Sequence, residues 1–387
     1  MNVVFVVPAF LPEGFGGAEQ QTRKLAGELS RRGVGVTILA PRLQPDTPKD
    51  STDGGVVVHR FRLSHPPSHG GRHILSWLWW SVRVSAWLAL HRGRYDVIHV
   101  IHGRLHAVPA IVTGHLLRIP TLVKLGRGGD HFDLRLVAKK RLIGRWMAPM
   151  VVNLPSCFIA NSAEIVQDLH AFGIAPERIR LLPNGVQTLP PRQHRDDSDR
   201  PVRFLYVGRF DVEKSLARMI RDFSRLPEGT RATLTLVGAG ACESELRELV
   251  ATLGAGDRIF IKPPVADVIP LFAQADFYVS TSTSEGMSNS LLEAMSASVP
   301  PITSRVSGVD DIVDEGRSGL IFDAADPDGF VRALAEAVAI DADRWNQMSA
   351  AAHATTVARF SMQAVTAAHE DLYRALSAAP SERWATS

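Results

Sequence analysis

At 387 residues, 45% hydrophobic and 21% charged, the chain has the composition of a globular protein and exceeds what one hydrophobic core usually serves, so two domains of ordinary size are expected. Its only two cysteines, Cys157 and Cys242, lie far apart; they exclude a disulfide framework and point to a reducing compartment, with the cytoplasm as the default. The net charge is only +3, yet residues 1–150 carry 21 Lys/Arg against 9 Asp/Glu, and the remainder 22 against 31. A basic first half fits an anionic partner such as a phospholipid surface, a lipid-diphosphate acceptor or a polyanion; a scattered, solvated arginine surface fits it equally, and no motif supports nucleic acid.

The opening MNVVFVVPAFLPEGF lacks a basic n-region and meets Pro8 after a short apolar run, so it reads as a first buried strand and not as a signal peptide. VVFVVPAF is a strand, GFGGAEQQTRKLAGELSRRG a loop and a helix ending near Gly33, and VGVTILAP a second strand, which together make a parallel β-α-β unit. Further buried strands are predicted at Val56 to Phe61, Val97 to Ile101, Thr121 to Leu125 and Cys157 to Ala160. Between them, Ile74 to Leu90 (ILSWLWWSVRVSAWLAL) holds four tryptophans but is 17 residues long and contains Arg83, too short and too polar to span a bilayer. It reads either as a buried helix of the first domain or as an amphipathic helix at a membrane interface, with Arg72, His73, Arg92 and Arg94 as its basic neighbours.

Residues 187–201, QTLPPRQHRDDSDRP, are proline-rich, charged and aperiodic, the pattern of an interdomain linker. A second α/β series follows, with strands predicted at Arg203 to Val207, Thr233 to Val237, Arg258 to Ile261, Phe277 to Ser280 and Pro301 to Thr303. The fold class is therefore α/β, two Rossmann-like domains in tandem over residues 1–187 and 200–360, with parallel sheets whose facing strand ends leave a cleft for a ligand. The first turn argues against a dinucleotide-binding dehydrogenase, although Arg42 could accommodate a 2′-phosphate. GFGGAE lacks the third glycine, and no acid ends the second strand at Ala40, Pro41 or Arg42 to hold a ribose.

The chemistry concentrates in the second series. TSEGMSNSLLEAMSASVP places Glu285 in a loop and Glu293 inside a helix starting near Ser288, two carboxylates with different tasks, while the backbone amides of Gly286, Met287, Ser288 and Asn289 form an exposed helix N-terminus suited to an anion. VGRFDVEKSLARMI puts Arg209 in a strand-to-helix loop and Lys214 near the helix start, where cations can neutralise a departing diphosphate.

In order along the chain, these pieces, with DVIHVIHG, NSAEIVQDLHAFGIAPERIRLLPNGV, LTLVGAG, SGVDDIVDEGRSGLIFDAADPDGF and the tail RFSMQAVTAAHEDLYRAL, resemble the retaining GT-B glycosyltransferases of family four (glycosyl transferases group 1). The spacing of Glu285 and Glu293 fits that family's E-x7-E motif. The resemblance implies a hexosyl transfer from a nucleotide-sugar; no cofactor and no metal are expected, and a UDP-sugar is the expected donor, GDP-mannose next. By the same likeness Glu285 contacts hydroxyls of the transferred sugar and Glu293 those of the ribose, while Arg209, Lys214, the Gly286–Asn289 amides and the Gly16-Gly17 loop bind the diphosphate; residues 361–387 return onto the first domain. The basic first half and the tryptophan stretch favour a glycan or a lipid-linked hydroxyl as acceptor, in polysaccharide or glycoconjugate biosynthesis at the cytoplasmic face of a membrane, with a soluble small-molecule acceptor as the alternative.

The chain departs from the family at several points. KLGRGGDHFD lacks the histidine that follows the matching strand, so Lys124, Arg127 or His131 takes its place, with His102 at the preceding strand end also within reach of the sugar. Ser215 replaces the glycine after the lysine, Gln187 the acid after LPNGV, and IKPPVADV a glycine-containing turn. His99, His102 and His106 do not form a zinc set, because strand alternation sends His99 and His102 to opposite faces. The pairs Asp326/Asp328 and Asp341/Asp343 read as caps and turns. The competing readings are an epimerase or phosphorylase on the same scaffold, which would need acid-base residues these motifs lack, and a non-catalytic partner subunit, which would tolerate loss of Glu285, Arg209 or Lys214.

Overall fold

The computed structural model describes residues 1–14, 16–67, 73–139, 144–192 and 200–378. Arg72, the middle of the 187–201 linker and the last nine residues of the tail lie outside them. The chain divides into two compact units, Met1–Gly185 joined by the segment from Met362, and Val186–Ser361.

In chain order the first unit holds β1 (Asn2–Val6), α1 (Gly17–Arg31), β2 (Gly35–Arg42), β3 (Asp50–Asp53), β4 (Val56–Arg62), α2 (Ile74–Leu90), β5 (Val97–Ile101), α3 (Val108–Leu116), β6 (Thr121–Lys124), α4 (Asp133–Ala138), α5 (Gly144–Asn153), β7 (Cys157–Ala160), α6 (Ala163–Ala171) and β8 (Ile179–Leu181). The second holds β9 (Val202–Val207), α7 (Leu216–Ser224), β10 (Ala232–Val237), α8 (Glu243–Thr252), β11 (Ile259–Lys262), α9 (Ile269–Phe272), β12 (Phe277–Ser280), α10 (Asn289–Ser296), β13 (Pro301–Ser304), β14 (Leu320–Phe322), α11 (Gly329–Ala339) and α12 (Ala342–Phe360). Helix α13 (Met362–Ala378) belongs to the first unit.

The first sheet runs β3-β4-β2-β1-β5-β6-β7-β8, parallel except for the β3–β4 pair. The second runs β11-β10-β9-β12-β13-β14, parallel throughout. Both are doubly wound sheets, and each reverses direction once, at β1/β5 and at β9/β12. Ligands sit beyond the carboxyl ends of the strands at such switch points. All the predicted strands form. Three others, β3, β8 and β14, carry little apolar signal: β3 is DSTD on an antiparallel edge, and the other two are three-residue strands.

Each sheet is covered on both faces, as parallel strands require. One face of the first sheet packs Ile98, Val100, Val123 and Phe158 against Trp80, Val84, Ile111 and Ile165 of the helices over it. The other packs Val3, Phe5, Ile38 and Ile101 against Leu25, Leu29 and Tyr373. In the second unit Phe204, Leu234 and Phe277 meet Ile220 and Leu334 on one side, and Leu205 and Tyr278 meet Leu292 and Met295 on the other.

Helix α13 is seated in the first unit through polar groups as well as apolar ones. Tyr373 shares a 2.6 Å hydrogen bond with His99 Nδ1, His99 stacks beside His369, and Arg32 Nε donates to Glu370 Oε2 at 2.9 Å. His369 is fully buried, donates from Nδ1 to Val365 O, and has no hydrogen-bond partner at Nε2. Burial, with Lys124 adding to it, pulls its pKa down to about 3; burial likewise holds His106 at about 3 and His99 well below the ordinary range.

These imidazoles are neutral in the fold, whereas in the unfolded chain they take up protons near pH 6.5. Stability present at neutral pH is therefore lost as pH falls toward 3. Urea unfolding at pH 7 and pH 5 is expected to show a loss of up to about 2 kcal/mol for each such histidine, and His369→Leu should flatten the slope.

Candidate active site

In the second unit the switch point gathers the ends of β9 and β12. The turn after β9 has no room for side chains. A Cβ on Gly208 would lie 2.6 Å from the Tyr206 hydroxyl, and one on Gly238 would lie 1.9 Å from the Gly208 carbonyl oxygen. The Tyr206 hydroxyl donates to Arg209 O at 2.9 Å and so fixes where that residue emerges. The Arg209 guanidinium is 57% exposed and is held by Asp211, Nη1 to Oδ2 at 2.7 Å, and by Glu213 at 3.5 Å.

A short turn, Val212–Lys214, then delivers Lys214, and the next residue, Ser215, has φ +51°. That left-handed conformation is the one glycine adopts without strain, which accounts physically for the glycine the resemblance expects there. The strand-end loops lock this turn in place. Thr281 Oγ1 donates to the carbonyls of Lys214 and Ser215, both at 3.1 Å, and Thr283 N donates to Glu213 O at 2.9 Å. Lys214 Nζ donates to Glu285 Oε1, which also accepts from Ser282 Oγ at 2.9 Å; the two side chains are 13% and 14% exposed.

Gly286 to Asn289 lead into α10. Ser288 caps the helix, its hydroxyl accepting from Leu291 N at 3.4 Å. Gly308, at φ +78°, backs this loop so closely that a Cβ there would lie 2.7 Å from Gly286 O. Glu293 sits in the second turn, half-buried. Tyr278 is buried; burial pushes its pKa up, and the charges of Glu285 and Glu293 add to the shift. Tyr206 is raised in the same way, by burial first and then by Tyr278 and Glu285. These two tyrosines, whose pKa values feel the carboxylates, carry no signal in the sequence. Within FLYVG and DFYVS they read as ordinary apolar strand residues.

In the first unit the corresponding switch point brings together the N-terminus of α1 and the end of β5. Gly16 precedes α1 with extended backbone, and a Cβ there would meet Glu19 Oε2 at 2.4 Å, so Glu19 folding back requires the glycine. Gly17 is the first residue of α1. His102, at φ +67°, follows β5 with its ring against Gly126, where a Cβ would lie 2.6 Å from Cε1.

His102 Nδ1 donates to Asp133 Oδ2 at 3.1 Å, as does Gly103 N at 3.2 Å, and Arg104 Nε donates to Oδ1 at 2.7 Å. Burial opposes ionisation of Asp133, but His102 and Arg104 outweigh it and hold the carboxyl below its usual range. A carboxylate that pins one imidazole nitrogen fixes the tautomer presented by the other. Sequence reasoning misses Asp133 because its partners lie about 30 residues away and share no motif with it.

The three residues expected to stand in for the family histidine separate in the structure. Lys124 turns to the α13 side of the sheet, donates to Asn184 Oδ1 at 3.1 Å and is lowered by burial to about 8. Arg127 is half-buried in the following loop, and His131 is exposed at the end of the turn Gly129–His131. His106 Nε2 donates to Ile101 O. Among the described residues no cluster of His, Cys, Asp or Glu could hold a metal ion. Asp341 caps α12 by accepting from Arg344 N at 2.8 Å, and Asp326 Oδ1 accepts from Asp328 N at 3.0 Å in a turn.

Two family models match this chain: "Glycosyl transferase 4-like domain" over residues 16–185 and "Glycosyl transferases group 1" over residues 201–339. The chain therefore belongs to the group 1 glycosyltransferases, and it is a transferase of the GT-B fold. It is 29% identical over 221 residues to the lipopolysaccharide core biosynthesis glycosyltransferase LpsE of Rhizobium meliloti, covering 56% of this chain and 63% of that one. It is 27% identical over 356 residues to a D-inositol 3-phosphate glycosyltransferase of Acidothermus cellulolyticus, covering 82% and 77%. A crystal structure of Anabaena Alr3699/HepE in complex with UDP and glucose superposes with a TM-score of 0.74 at 18% identity, over 97% of this chain and all of that one.

The Lys214–Glu285 pair is expected to couple energetically. A double-mutant cycle of Lys214→Met and Glu285→Gln, read by urea unfolding, should give an interaction of about 1 kcal/mol or more, and strictly additive single effects would remove the pair as a structural contact.

Proposed function

We propose that the protein is a retaining, metal-independent hexosyltransferase that moves a sugar from a UDP-sugar to a hydroxyl of a glycan or lipid-linked acceptor, in polysaccharide or glycoconjugate biosynthesis at the cytoplasmic face of a membrane. The observation that carries this reading is the Lys214–Glu285–Ser282 constellation at the β9/β12 switch point, beside the N-terminus of α10. Arg209 and Lys214 take the diphosphate together with the amides of Gly286 to Asn289. Glu285 binds hydroxyls of the transferred sugar, and Glu293 those of the ribose, since carboxylates accept such bonds well.

In the reaction the bond from the anomeric carbon to the diphosphate breaks and its electron pair leaves with the nucleotide. The acceptor oxygen bonds the same carbon from the same face and gives up its proton to the departing diphosphate oxygen. Preorganised cations stabilise the charge that develops on the departing oxygen. The complexes of Anabaena HepE with UDP, and with UDP and glucose, support UDP over GDP as the nucleotide.

UDP should raise the melting temperature more than GDP in a thermal-shift assay, and Glu293→Gln should abolish most of that shift. Lys214→Ala should lower turnover about a hundredfold or more, on the order of 3 kcal/mol in the barrier. Near-normal turnover in that variant, or a larger shift with GDP, would overturn the respective assignment.

A further inference from the structure

Helix α2 is apolar over most of its circumference, with Arg83 its one charge, a pattern that normally means burial. Here it is buried on one side only. Ser76, Trp77, Trp80, Val84 and Leu88 face the core. Leu75, Leu78, Trp79 and Val82 are exposed, followed by Ala86, Ala89 and Leu90 at the spacing of one helical stripe. Leu75 is 78% exposed, Trp79 51% and Leu90 82%. Helix α3 packs on α2 and α5 packs on α3. Leu116 at the end of α3 is 73% exposed, and Trp146 in α5 75%.

Exposed arginines border the end of this apolar surface. Residues 54–129 contain ten Lys/Arg and a single acid, Asp96, whose carboxylate is occupied by the backbone amide of Asn2 at 2.7 Å. Arg92, Arg94 and Arg118 are exposed where α2 and α3 end, and Arg92 Nε donates to Leu117 O at 3.2 Å. Arg83 lies over the Trp79 ring at 5.4 Å, cation against π face.

No helix among the described residues is long and apolar enough to cross a membrane. A second copy of the chain is a poor occupant, because it would set arginine against arginine with almost no carboxylate to pair them. An anionic bilayer satisfies both features at once. Tryptophan and leucine enter the headgroup boundary, and arginine meets lipid phosphate.

We propose that α2 docks in the plane of an anionic phospholipid surface, inserting Leu75, Leu78, Trp79, Val82 and Leu90, with Trp146 of α5 as a second anchor. This deepens the lipid-linked acceptor reading and rests on it for its purpose, but not for its test, because vesicle binding and sugar-donor hydrolysis are scored separately.

The test is co-sedimentation of the full chain with vesicles of phosphatidylglycerol and phosphatidylcholine in equal parts, and with phosphatidylcholine alone. Binding to the anionic vesicles should be stronger by about a hundredfold, as three exposed arginines contribute, and should be lost near 1 M salt, where the Debye length is about 3 Å. Trp79→Ser with Val82→Ser should remove binding, and Arg92→Gln with Arg94→Gln and Arg118→Gln should remove the preference for anionic lipid. UDP-sugar hydrolysis and melting temperature should stay unchanged in both. Equal binding to the two vesicle types, undiminished binding by the Trp79/Val82 variant, or a dimer in sedimentation velocity that this variant dissolves would each overturn the proposal.

Discussion

A lysine and a glutamate held together at little more than a tenth of their exposed area give up most of their hydration, and only close geometry with further hydrogen bonds repays that loss. The second unit is built to supply this geometry around Lys214 and Glu285. Thr281 grips the turn that carries Lys214, Thr283 grips Glu213 beside it, and Ser282 shares the carboxylate oxygen that Lys214 uses. Behind them Ser304 Oγ at the end of β13 donates to Ser282 O at 2.6 Å. Four strand-end residues thus fix two charges that lie 71 positions apart in sequence. The strand order makes this possible, because β9 and β12 pair directly where the sheet reverses.

The first unit uses a related device with the signs redistributed. There one buried carboxylate, Asp133, collects an imidazole, a guanidinium and a backbone amide at the end of β5. In both places a group with ordinary solution chemistry is given a single orientation by partners contributed from other elements. The neutral, buried His99 and His369 do comparable work for α13, since a hydrogen bond to Tyr373 specifies a register that apolar contact alone would leave loose.

The sequence is most legible where local pattern and function coincide. Parallel strands buried on both faces read as continuous apolar runs, so VVFVV, VIHVI and CFIA are visible, whereas the polar edge β3 and the three-residue β8 and β14 are not. Arg209, Lys214 and Glu285 are legible because motif residues follow strand ends in order. Asp133, Tyr206 and Tyr278 are not, because their roles arise from pairing across distant elements. Lys124 shows the limit of reading by position. It stands at the end of β6 as expected, but the pleat turns it toward α13 and Asn184. Helix α2 is open in the sequence to a buried and to an interfacial reading; the structure buries one side of it and leaves an apolar stripe exposed on the other.

The charge distribution sets how each unit can deal with an anion. Residues 186–361 carry 18 Lys/Arg against 25 Asp/Glu, so the unit proposed to take the diphosphate repels anions at long range. Arg209 is already paired with Asp211 and Glu213, and Lys214 with Glu285. In the proposed reaction the diphosphate must therefore win these cations by contact, exchanging one oxyanion partner for another with little net gain in Coulomb energy. The uncharged backbone amides of Gly286 to Asn289 then supply the part of the grip that carries no competing carboxylate. Such a site discriminates by geometry, because a ligand that reaches the cations but not the amides gains almost nothing. The first unit works differently: it carries a net positive charge, whose field extends about a Debye length into solution and acts on extended surfaces.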